Sequence, residues 1–430
     1  MKVQTIEVCN FKGINHLKIP FEGKSTIIFG INGAGKSTIL RAIDLIYANI
    51  ISMLLSSKKK LAQLEYDDIS YGKTLAEIDA IFAFSDGSQR EYSRSISRAA
   101  GRRHILKDLR ELVNLFEEYY IEKGYDDGNG NWIQNEDLKD MPVFVNYGVN
   151  RSVFDVPLRA SRKEEFTKLS AFDKAIENKI DFRTLFMWFR NQEDIENQEK
   201  VRHTASYEDR SLKAVKTAML AMLDGFDDIH IDRKPLAMKV RKDGHYLAIN
   251  QLSDGEKCTI ALFGDLARRL ALANPQLLNP LEGQGVVLID ELDLHMHTMW
   301  QRKVVHILKK TFPNIQFIIT THSPQILGEL DDTFNLFYIS RKDNEVTLQQ
   351  YKSFIGWDAN VILEEVMHTS SVNAKIKQMV KQMYEFINNK NYDQAEKVAD
   401  ELDEIANGYV DGVAKARILI SRGKRNEKNQ

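Results

Sequence analysis

The chain has 430 residues, 43% of them hydrophobic, which is enough for a substantial core and for two or three domains. A net charge of -2 excludes a globally basic nucleic-acid-binding protein, so any DNA contact has to come from local patches. The two cysteines, Cys9 and Cys258, are far apart and form no Cys-x-x-Cys pair, which argues against a disulfide framework or a zinc ribbon and indicates a reducing compartment.

The N-terminus alternates apolar and polar residues as a strand does and lacks the apolar core of a signal peptide. The longest apolar stretch, residues 39–55, is interrupted by Arg41, Asp44 and Asn49, so no membrane span is expected. The sequence therefore predicts a cytoplasmic protein without a membrane partner.

The first half of the chain predicts strands around one long helix, followed by a helical region. In chain order the elements are a β-hairpin within residues 1–30 with a buried strand at 25–29, a helix at 37–55, two hairpin strands within 76–97, a helix at 104–123, a loop at 124–134 and a buried strand at 142–147. Residues 160–226 show helical periodicity, with charged breaks predicted at 191–200 and 202–210.

The second half returns to strands and then becomes helical. The elements are strands within 229–249, an α/β block at 253–339, mixed-charge helices at 360–422 and a polar tail at 423–430. Amphipathic helices at 374–388 and 392–405 have apolar faces suited either to a partner or to packing against the rest of the chain.

The segment GINGAGKST, residues 30–38, fits the G-x-x-x-x-G-K-[ST] phosphate loop, with an apolar strand before it and a helix after it. Its glycines allow backbone N–H groups to converge on phosphate oxygens at a helix N-terminus. Lys36 is expected to bridge the β and γ phosphates, Ser37 to bind Mg²⁺ and Thr38 to support the α phosphate. The predicted ATP-binding residues of this loop are Gly30, Ile31, Asn32, Gly33, Ala34, Gly35, Lys36, Ser37 and Thr38.

A second motif is the apolar strand of residues 285–289, which ends in Asp290 and Glu291. Two acids at a buried strand end are costly unless a cation compensates them. We expect Asp290 to hold Mg²⁺ and Glu291 to orient and polarise the attacking water. By itself an apolar strand ending in Asp-Glu is common; the phosphate loop upstream favours the functional interpretation.

Two further segments each fit both a functional and a structural role when taken alone. Leu-Ser-Asp-Gly-Glu at 252–256 opens an amphipathic helix, and Ser253 with Glu256 also fits a capping box. The strand 316–320 leads into His322, which would have a structural role if it stood alone. His295 and His297 near Asp293 suggest a metal site only weakly.

In their order along the chain, FKGI, GINGAGKST, LSDGEK, VVLIDE and ITTHSPQIL resemble the ABC ATPases of the recombination-protein and SMC branch. The resemblance implies an α/β P-loop head, with a mixed β-sheet, an antiparallel side sheet, an inserted helical lobe and C-terminal helices. It implies that Ser253, Gly255 and Glu256 contact ATP bound by a second copy, with Asp254 where many members have Gly. A homodimer of heads, or a higher homo-oligomer, follows from this.

Three more roles follow from the same resemblance. His322 matches the switch histidine that contacts the γ phosphate, and Lys36, Glu291 and His322 form the expected catalytic set. Asp293 lies in a segment that shapes the dimer interface in such ATPases, although Leu292 replaces a proline here. Asn150 is the candidate for the magnesium-sensing position, and Arg151 beside it either closes a loop or contacts nucleotide or a neighbouring subunit.

Within that branch, YGVNR, the segment 181–200 and the run 356–367 resemble small bacterial ATPases that include PtuA of the Septu anti-phage system. That resemblance implies a separate HNH nuclease as partner, with DNA reached through the complex. The expected domains are 1–158 and 227–358 for the two parts of the head, 159–226 for the helical insertion and 359–430 for a partner or oligomerisation region.

Two other functions remain open from the residues. A RecF-like DNA-repair ATPase would use the basic patches at 58–60, 98–103 and 422–425 to contact phosphates. A one-chain nuclease would require an acidic metal-binding domain after His322, and no Asp-x-Asp strand motif occurs there.

Overall fold

The computed structural model describes residues 1–55, 63–84, 87–98, 109–121, 125–126, 132–133, 140–151, 166–343, 345–370, 373–408 and 410–428. The chain divides into two compact units, Met1–Gly356 and Trp357–Gln430. We call these the head unit and the C-terminal unit.

The strands, in chain order, are β1 (Lys2–Phe11), β2 (Ile14–Pro20), β3 (Thr26–Phe29), β4 (Leu75–Ala83), β5 (Gln89–Ser97), β6 (Tyr125–Asp126), β7 (Trp132–Ile133), β8 (Val143–Tyr147), β9 (Phe226–Arg233), β10 (Leu236–Lys242), β11 (His245–Ala248), β12 (Gly285–Ile289), β13 (Ile315–Thr321), β14 (Asn335–Lys342) and β15 (Glu345–Tyr351). The helices are α1 (Lys36–Leu54), α2 (Leu109–Tyr120), α3 (Phe182–Arg202), α4 (Arg210–Leu220), α5 (Asp254–Ala273), α6 (Thr298–Thr311), α7 (Pro324–Leu327), α8 (Ala359–Val361), α9 (Ala374–Asn388), α10 (Tyr392–Ala406) and α11 (Val413–Lys428).

The centre of the head unit is a six-stranded sheet in the order β15-β14-β3-β13-β12-β8. All of its strands are parallel except β15, which runs antiparallel to β14. Every residue of β3, β8, β12 and β13 is buried, as expected for parallel strands covered on both faces. Their carboxyl ends therefore meet at one edge of the sheet.

Two antiparallel sheets accompany the central one, in the orders β2-β1-β4-β5 and β11-β10-β9. The first of these is called the side sheet below. A mixed β-sheet with an antiparallel side sheet and several helices is the predicted fold class, and the structure confirms it.

Helix α1 is the one described helix that is long and apolar enough, by length and composition, to cross a membrane. In the structure 67% of that apolar stretch is buried. Ile39, Ile43 and Ile46 are among its side chains that are fully or almost fully inaccessible to solvent, and α1 contacts β4, β5 and β13. Its apolar surface is therefore used for packing within the head unit.

The predicted charged break at 191–200 is wrong, because α3 continues through it from Phe182 to Arg202. The charges that suggested a break are paired along the helix: Arg190 lies 3.8 Å from Asp194 and Lys200 lies 2.5 Å from Glu196. Pairs at this spacing stabilise helices.

The C-terminal unit consists mainly of α9, α10 and α11 packed around a small apolar core. Its fully buried residues include Met383, Ala399 and Leu402.

The predicted polar tail at 423–430 is also wrong, because α11 continues to Lys428. Gly423 lies so close to Tyr392 that a Cβ there would come within 2.2 Å of its ring, and Lys424 lies 2.7 Å from both Asp393 and Glu396. Contacts with the first turns of α10 therefore extend α11 beyond its apolar part.

Several sequence predictions lie wholly or partly outside the described residues, among them the helix predicted at 104–123, of which residues 109–121 are described. The basic run 58–60 lies outside the described residues, and only Arg98 of the run 98–103 is described. The prediction of a loop at 124–134 is wrong at its described residues, because β6 and β7 pair there as a short antiparallel ladder.

Candidate functional site

The predicted motifs lie at the carboxyl ends of four neighbouring strands. The phosphate loop follows β3, His322 follows β13, Asp290 follows β12 and Asn150 follows β8. In open parallel sheets ligands bind at this edge. Residues separated by up to about 290 positions in the sequence are thus placed around one site.

The phosphate loop depends on glycine at two positions. Gly30 has φ 149°, and a Cβ there would lie 2.1 Å from the carbonyl oxygen of Ile339. Gly35, the residue before α1, has φ 113°. Side chains at either position would strain the loop that leads from β3 into α1.

The loop closes around the ammonium group of Lys36. Its Nζ donates to the carbonyl oxygens of Gly30 (3.0 Å) and Ile31 (2.9 Å). Burial lowers the pKa of Lys36 to about 8, against the opposing effect of Asp290, Glu291 and Asp293. A cation with few compensating partners at a helix N-terminus is well suited to an anionic ligand.

The rest of the loop is more open to solvent. Ile31, Asn32, Gly33 and Ser37 are exposed, Gly35 and Thr38 are half-buried, and Ala34 is buried. Backbone groups and the Ser37 hydroxyl are therefore available to a ligand.

Thr320 on β13 holds the two carboxylate residues at the end of β12. Its hydroxyl donates to Asp290 Oδ1 (2.5 Å) and accepts from the backbone N–H of Glu291 (2.8 Å). Glu291 has φ 47°, a left-handed conformation that is uncommon for a side chain of this size.

Arg151 fixes the same turn from the other side. Its guanidinium donates to the carbonyl oxygens of Asp290 (3.0 Å) and Glu291 (2.5 Å), and only 3% of the residue is exposed. The thiol of Cys258 in α5 donates to the carbonyl oxygen of Arg151 (3.4 Å). Arg151 thus connects the turn of Glu291 to helix α5.

An open pocket of about 190 Å³ brings together the three predicted magnesium ligands, Ser37, Asn150 and Asp290. Its other lining residues are Leu40, Arg41, Asn146, Gly148, Val149 and Asn178. Asn150 is exposed and lies beside Lys179 through an isolated parallel bridge. A hydroxyl, a carboxylate and an amide offer the oxygen ligands that Mg²⁺ prefers.

His322 is half-buried, and burial together with nearby Lys36 lowers its pKa. Asp293 supports it: the Oδ1 atom accepts from the Thr321 hydroxyl (2.6 Å) and from the His322 backbone N–H (3.2 Å). The lowered pKa favours the neutral imidazole, and the charges of Lys36, Asp293 and Glu291 also act on it.

The segment Ser253–Glu256 does not line this pocket. Ser253 is exposed and caps α5: its hydroxyl accepts from the Glu256 N–H (3.4 Å) and Glu256 Oε2 accepts from the Ser253 N–H (2.9 Å), which confirms the capping box. Glu256 is also bound by Lys242 (2.6 Å). A Cβ on Gly255 would lie 2.6 Å from the carbonyl oxygen of His295, so glycine permits close packing there.

Comparison with known proteins supports the interpretation of the chain as an ATPase. A family model described as "AAA domain" matches residues 5–218, and one described as "AAA domain, putative AbiEii toxin, Type IV TA system" matches residues 138–328. The protein named "Retron Vc95 probable ATPase" of Vibrio cholerae serotype O1 biovar El Tor is 31% identical, over 78% of this chain and 75% of that protein. The chain belongs to this retron ATPase family.

The predicted resemblance to PtuA is confirmed as well. The Septu protein PtuA of Bacillus thuringiensis is 25% identical, over 85% of this chain and 84% of that protein. Among solved structures, the Smc head bound to the C-winged helix domain of ScpA is 16% identical, covers 82% of this chain and 98% of its own, and has a TM-score of 0.49. The predicted ATPase activity is confirmed by the family membership.

Since Lys36 has a pKa of about 8, ATP affinity of this retron-type ATPase should depend on pH. Above that pH the free protein carries a neutral Lys36, and binding the phosphates must first take up a proton. The apparent Kd should then rise by up to about tenfold per pH unit. Calorimetry from about pH 7 to pH 9 measures this.

Lys309 provides the matched control for that titration. It is also a lysine whose pKa burial lowers, and it donates to the carbonyl oxygens of Pro313 (2.8 Å) and Ile315 (3.2 Å), away from the site. Lys309→Ala should keep the pH dependence. An ATP affinity that stays constant up to pH 9 would contradict the role of Lys36.

We expect Arg151→Met to lower kcat by about 10- to 100-fold while changing the Kd for ATP little. The substitution removes the donors that hold Asp290 and Glu291 but leaves the phosphate loop intact. Single-turnover hydrolysis and calorimetry separate the two effects.

Arg94→Met is the matched control for this variant. Arg94 is likewise buried, 6% exposed, and its guanidinium donates to a backbone carbonyl, that of Leu45. Its replacement should lower stability without the kcat defect. Equal loss of kcat in both variants would show that Arg151 has only a general structural role.

The sequence did not predict that Thr320 binds Asp290 and Glu291. It also did not predict that Arg151 donates to the carbonyl oxygens of Asp290 and Glu291. The two hydroxyl residues Thr320 and Thr321 before His322 were the sequence feature that could have indicated this contact. The strand register accounts for the contact of Thr320 with Asp290, because Ile289 pairs with Ile319 and the next residues therefore lie side by side.

Proposed function

We propose that the chain hydrolyses Mg²⁺-ATP with the residues gathered at this sheet edge. Lys36 binds the β and γ phosphates, while Ser37, Asp290 and Asn150 hold the magnesium ion. When bound, Mg²⁺ neutralises charge on the phosphate oxygens. Glu291 orients the attacking water and accepts its proton, and neutral His322 donates a hydrogen bond near the γ phosphate. The observation that carries this proposal is the convergence of Ser37, Asn150 and Asp290 in one pocket.

We further propose that two heads enclose ATP between them. In support, Ser253 and Asp254 are exposed at the start of α5 yet lie outside the phosphate pocket of their own chain. The N-terminus of α5 favours an anion through its dipole. A phosphate that reaches it would come from a second copy.

Ser253→Asp tests this dimer, with Ser253→Asn as matched control. Both residues cap helices as well as serine does. Aspartate adds a negative charge that repels a phosphate, so we expect Ser253→Asp to bind ATP as a monomer and Ser253→Asn to remain dimeric with ATP. Gel filtration distinguishes them. Unchanged ATP-dependent dimerisation of Ser253→Asp would exclude contact between Ser253 and the γ phosphate.

We propose that the ATPase regulates a nuclease partner of the HNH type in anti-phage defence, and that DNA is reached through that complex. The similarity to the Septu protein PtuA supports this role. The C-terminal unit is the proposed docking region, and its exposed apolar residues Ile405 (54%) and Ile418 (56%) are suited to a partner.

The test uses the chain expressed with its native neighbouring genes. Deletion of residues 357–430 should release the copurified nuclease, and Lys36→Ala should retain the nuclease but change its activity. A nuclease that copurifies equally with the truncated chain would contradict docking at the C-terminal unit.

The RecF-like alternative has less support from the described residues. Of the run 422–425, Lys424 is already paired with Asp393 and Glu396. Direct DNA binding would show affinity that falls steeply with salt. A DNA affinity insensitive to salt would exclude a phosphate clamp.

A further inference from the structure

The solvent-facing side of the side sheet carries a cluster of three different metal-binding side chains. Glu7 and Cys9 belong to β1, and His16 lies on β2 directly opposite Cys9. Alternate residues of a strand face the same side. Val8, between Glu7 and Cys9, is fully buried, so its two neighbours point away from the core.

The potential ligand atoms lie close to one another. One oxygen of Glu7, the sulfur of Cys9 and one ring nitrogen of His16 are all within 4.8 Å of each other. His16 Nε2 is 2.9 Å from Glu7 Oε1. The three groups come from two strands, so the sheet register assembles them.

Strand β4 adds further carboxylates on the other side of β1. Glu77 pairs with Cys9 and Asp79 with Glu7 in the ladder. Glu7, Glu77 and Asp79 thus place three carboxylates on the same face of the sheet as Cys9. Lys18 lies 3.0 Å from Glu7. Among the described residues, it is the one lysine or arginine that forms an ion pair with Glu7, Glu77 or Asp79; His16 also pairs with Glu7 when it is protonated. The local field therefore favours a bound cation.

We propose that Glu7, Cys9 and His16 bind a divalent cation of borderline softness, of which Zn²⁺ is the best match. Thiolate, imidazole and carboxylate are the three ligand types of zinc, whereas Mg²⁺ prefers oxygen ligands alone. Tetrahedral bond lengths place zinc ligands roughly 3.3–3.8 Å apart, which small side-chain rotations can reach here. Glu77 or a water supplies the fourth ligand, and the thiol releases its proton to solvent.

Such an ion would connect β1 to β2. Because the ion binds the folded arrangement of these strands and not the separated side chains, it stabilises the side sheet. The site is independent of the nucleotide pocket, whose predicted metal ligands are Ser37, Asn150 and Asp290.

Cobalt substitution tests the site on the full chain after treatment with a chelator. Co²⁺ bound to a thiolate gives a sulfur-to-cobalt charge-transfer band, which Co²⁺ at the all-oxygen magnesium site cannot give. We expect the band to saturate at about one ion per chain and to disappear when Zn²⁺ is added. Zn²⁺ should also raise Tm.

Cys258 provides the matched control for Cys9, since these are the two cysteines of the chain. Cys258→Ala should keep the band and Cys9→Ala should lose it. His16→Ala removes a side chain that is 62% exposed, so it leaves the fold and Mg²⁺-dependent ATPase activity intact. It should weaken Co²⁺ binding by at least about tenfold.

Several results would overturn the proposal. These are the absence of a sulfur-to-cobalt band in the unaltered chain, an equal band in Cys9→Ala, loss of the band in Cys258→Ala, or unchanged Co²⁺ affinity in His16→Ala.

Discussion

Lys36→Ala should abolish measurable ATP binding. Lys36 Nζ is buried within the phosphate loop and donates to the carbonyl oxygens of Gly30 and Ile31, with no other hydrogen-bond partner among the described residues, so it is a cation placed to meet the phosphates. Losing a buried charge partner costs enough to weaken binding by at least about 100-fold. Calorimetry with ATP measures the loss directly.

The control is again Lys309→Ala. This variant removes a lysine of α6 that, like Lys36, donates to two backbone carbonyl oxygens, those of Pro313 and Ile315. It should bind ATP as the unaltered chain does. Thermal unfolding of both variants verifies that each is folded. If folded Lys36→Ala retained its ATP affinity, the phosphates would have to bind elsewhere.

Glu291→Gln should bind ATP normally but hydrolyse it at least about 100 times more slowly. Glutamine keeps the size of the side chain and leaves the backbone contacts with Thr320 and Arg151 available, but it cannot accept a proton from water. Single-turnover hydrolysis measures the rate. Gel filtration with ATP should also show a dimer that persists, since the nucleotide is not consumed.

Glu193→Gln serves as the comparison for this variant. Glu193 is a buried glutamate, 7% exposed, that accepts from Arg233 and from the backbone N–H of Ile231 in the same head unit. Its replacement should affect stability but not the hydrolysis rate. Full activity of Glu291→Gln would require a different residue to activate water.

Local sequence spacing was enough to predict most of the strands and helices in their order and the position of the phosphate loop. Glycines with a following Lys-Ser, and an apolar strand ending in Asp290 and Glu291, are short-range patterns. The alternation in residues 76–97 likewise predicted the hairpin of β4 and β5.

The helix boundaries predicted from charge were less accurate for a physical reason. A run of charged residues looks like a break when partners are unknown. In α3 the charges pair along the helix, and Glu193 meets Arg233 from β9. In α11, Lys424 finds its partners on α10.

The sequence by itself determined which chemical groups this protein has and where its local elements form, because backbone periodicity and loop glycines act over a few residues. Only the tertiary structure decided which distant groups meet. Arg151 reaches the carbonyls of Asp290 and Glu291, Thr320 lies beside both, and the burial of Lys36 lowers its pKa, because parallel strands far apart in sequence end at one edge. The register of β1 with β2 brings Cys9 and His16 together in the same way.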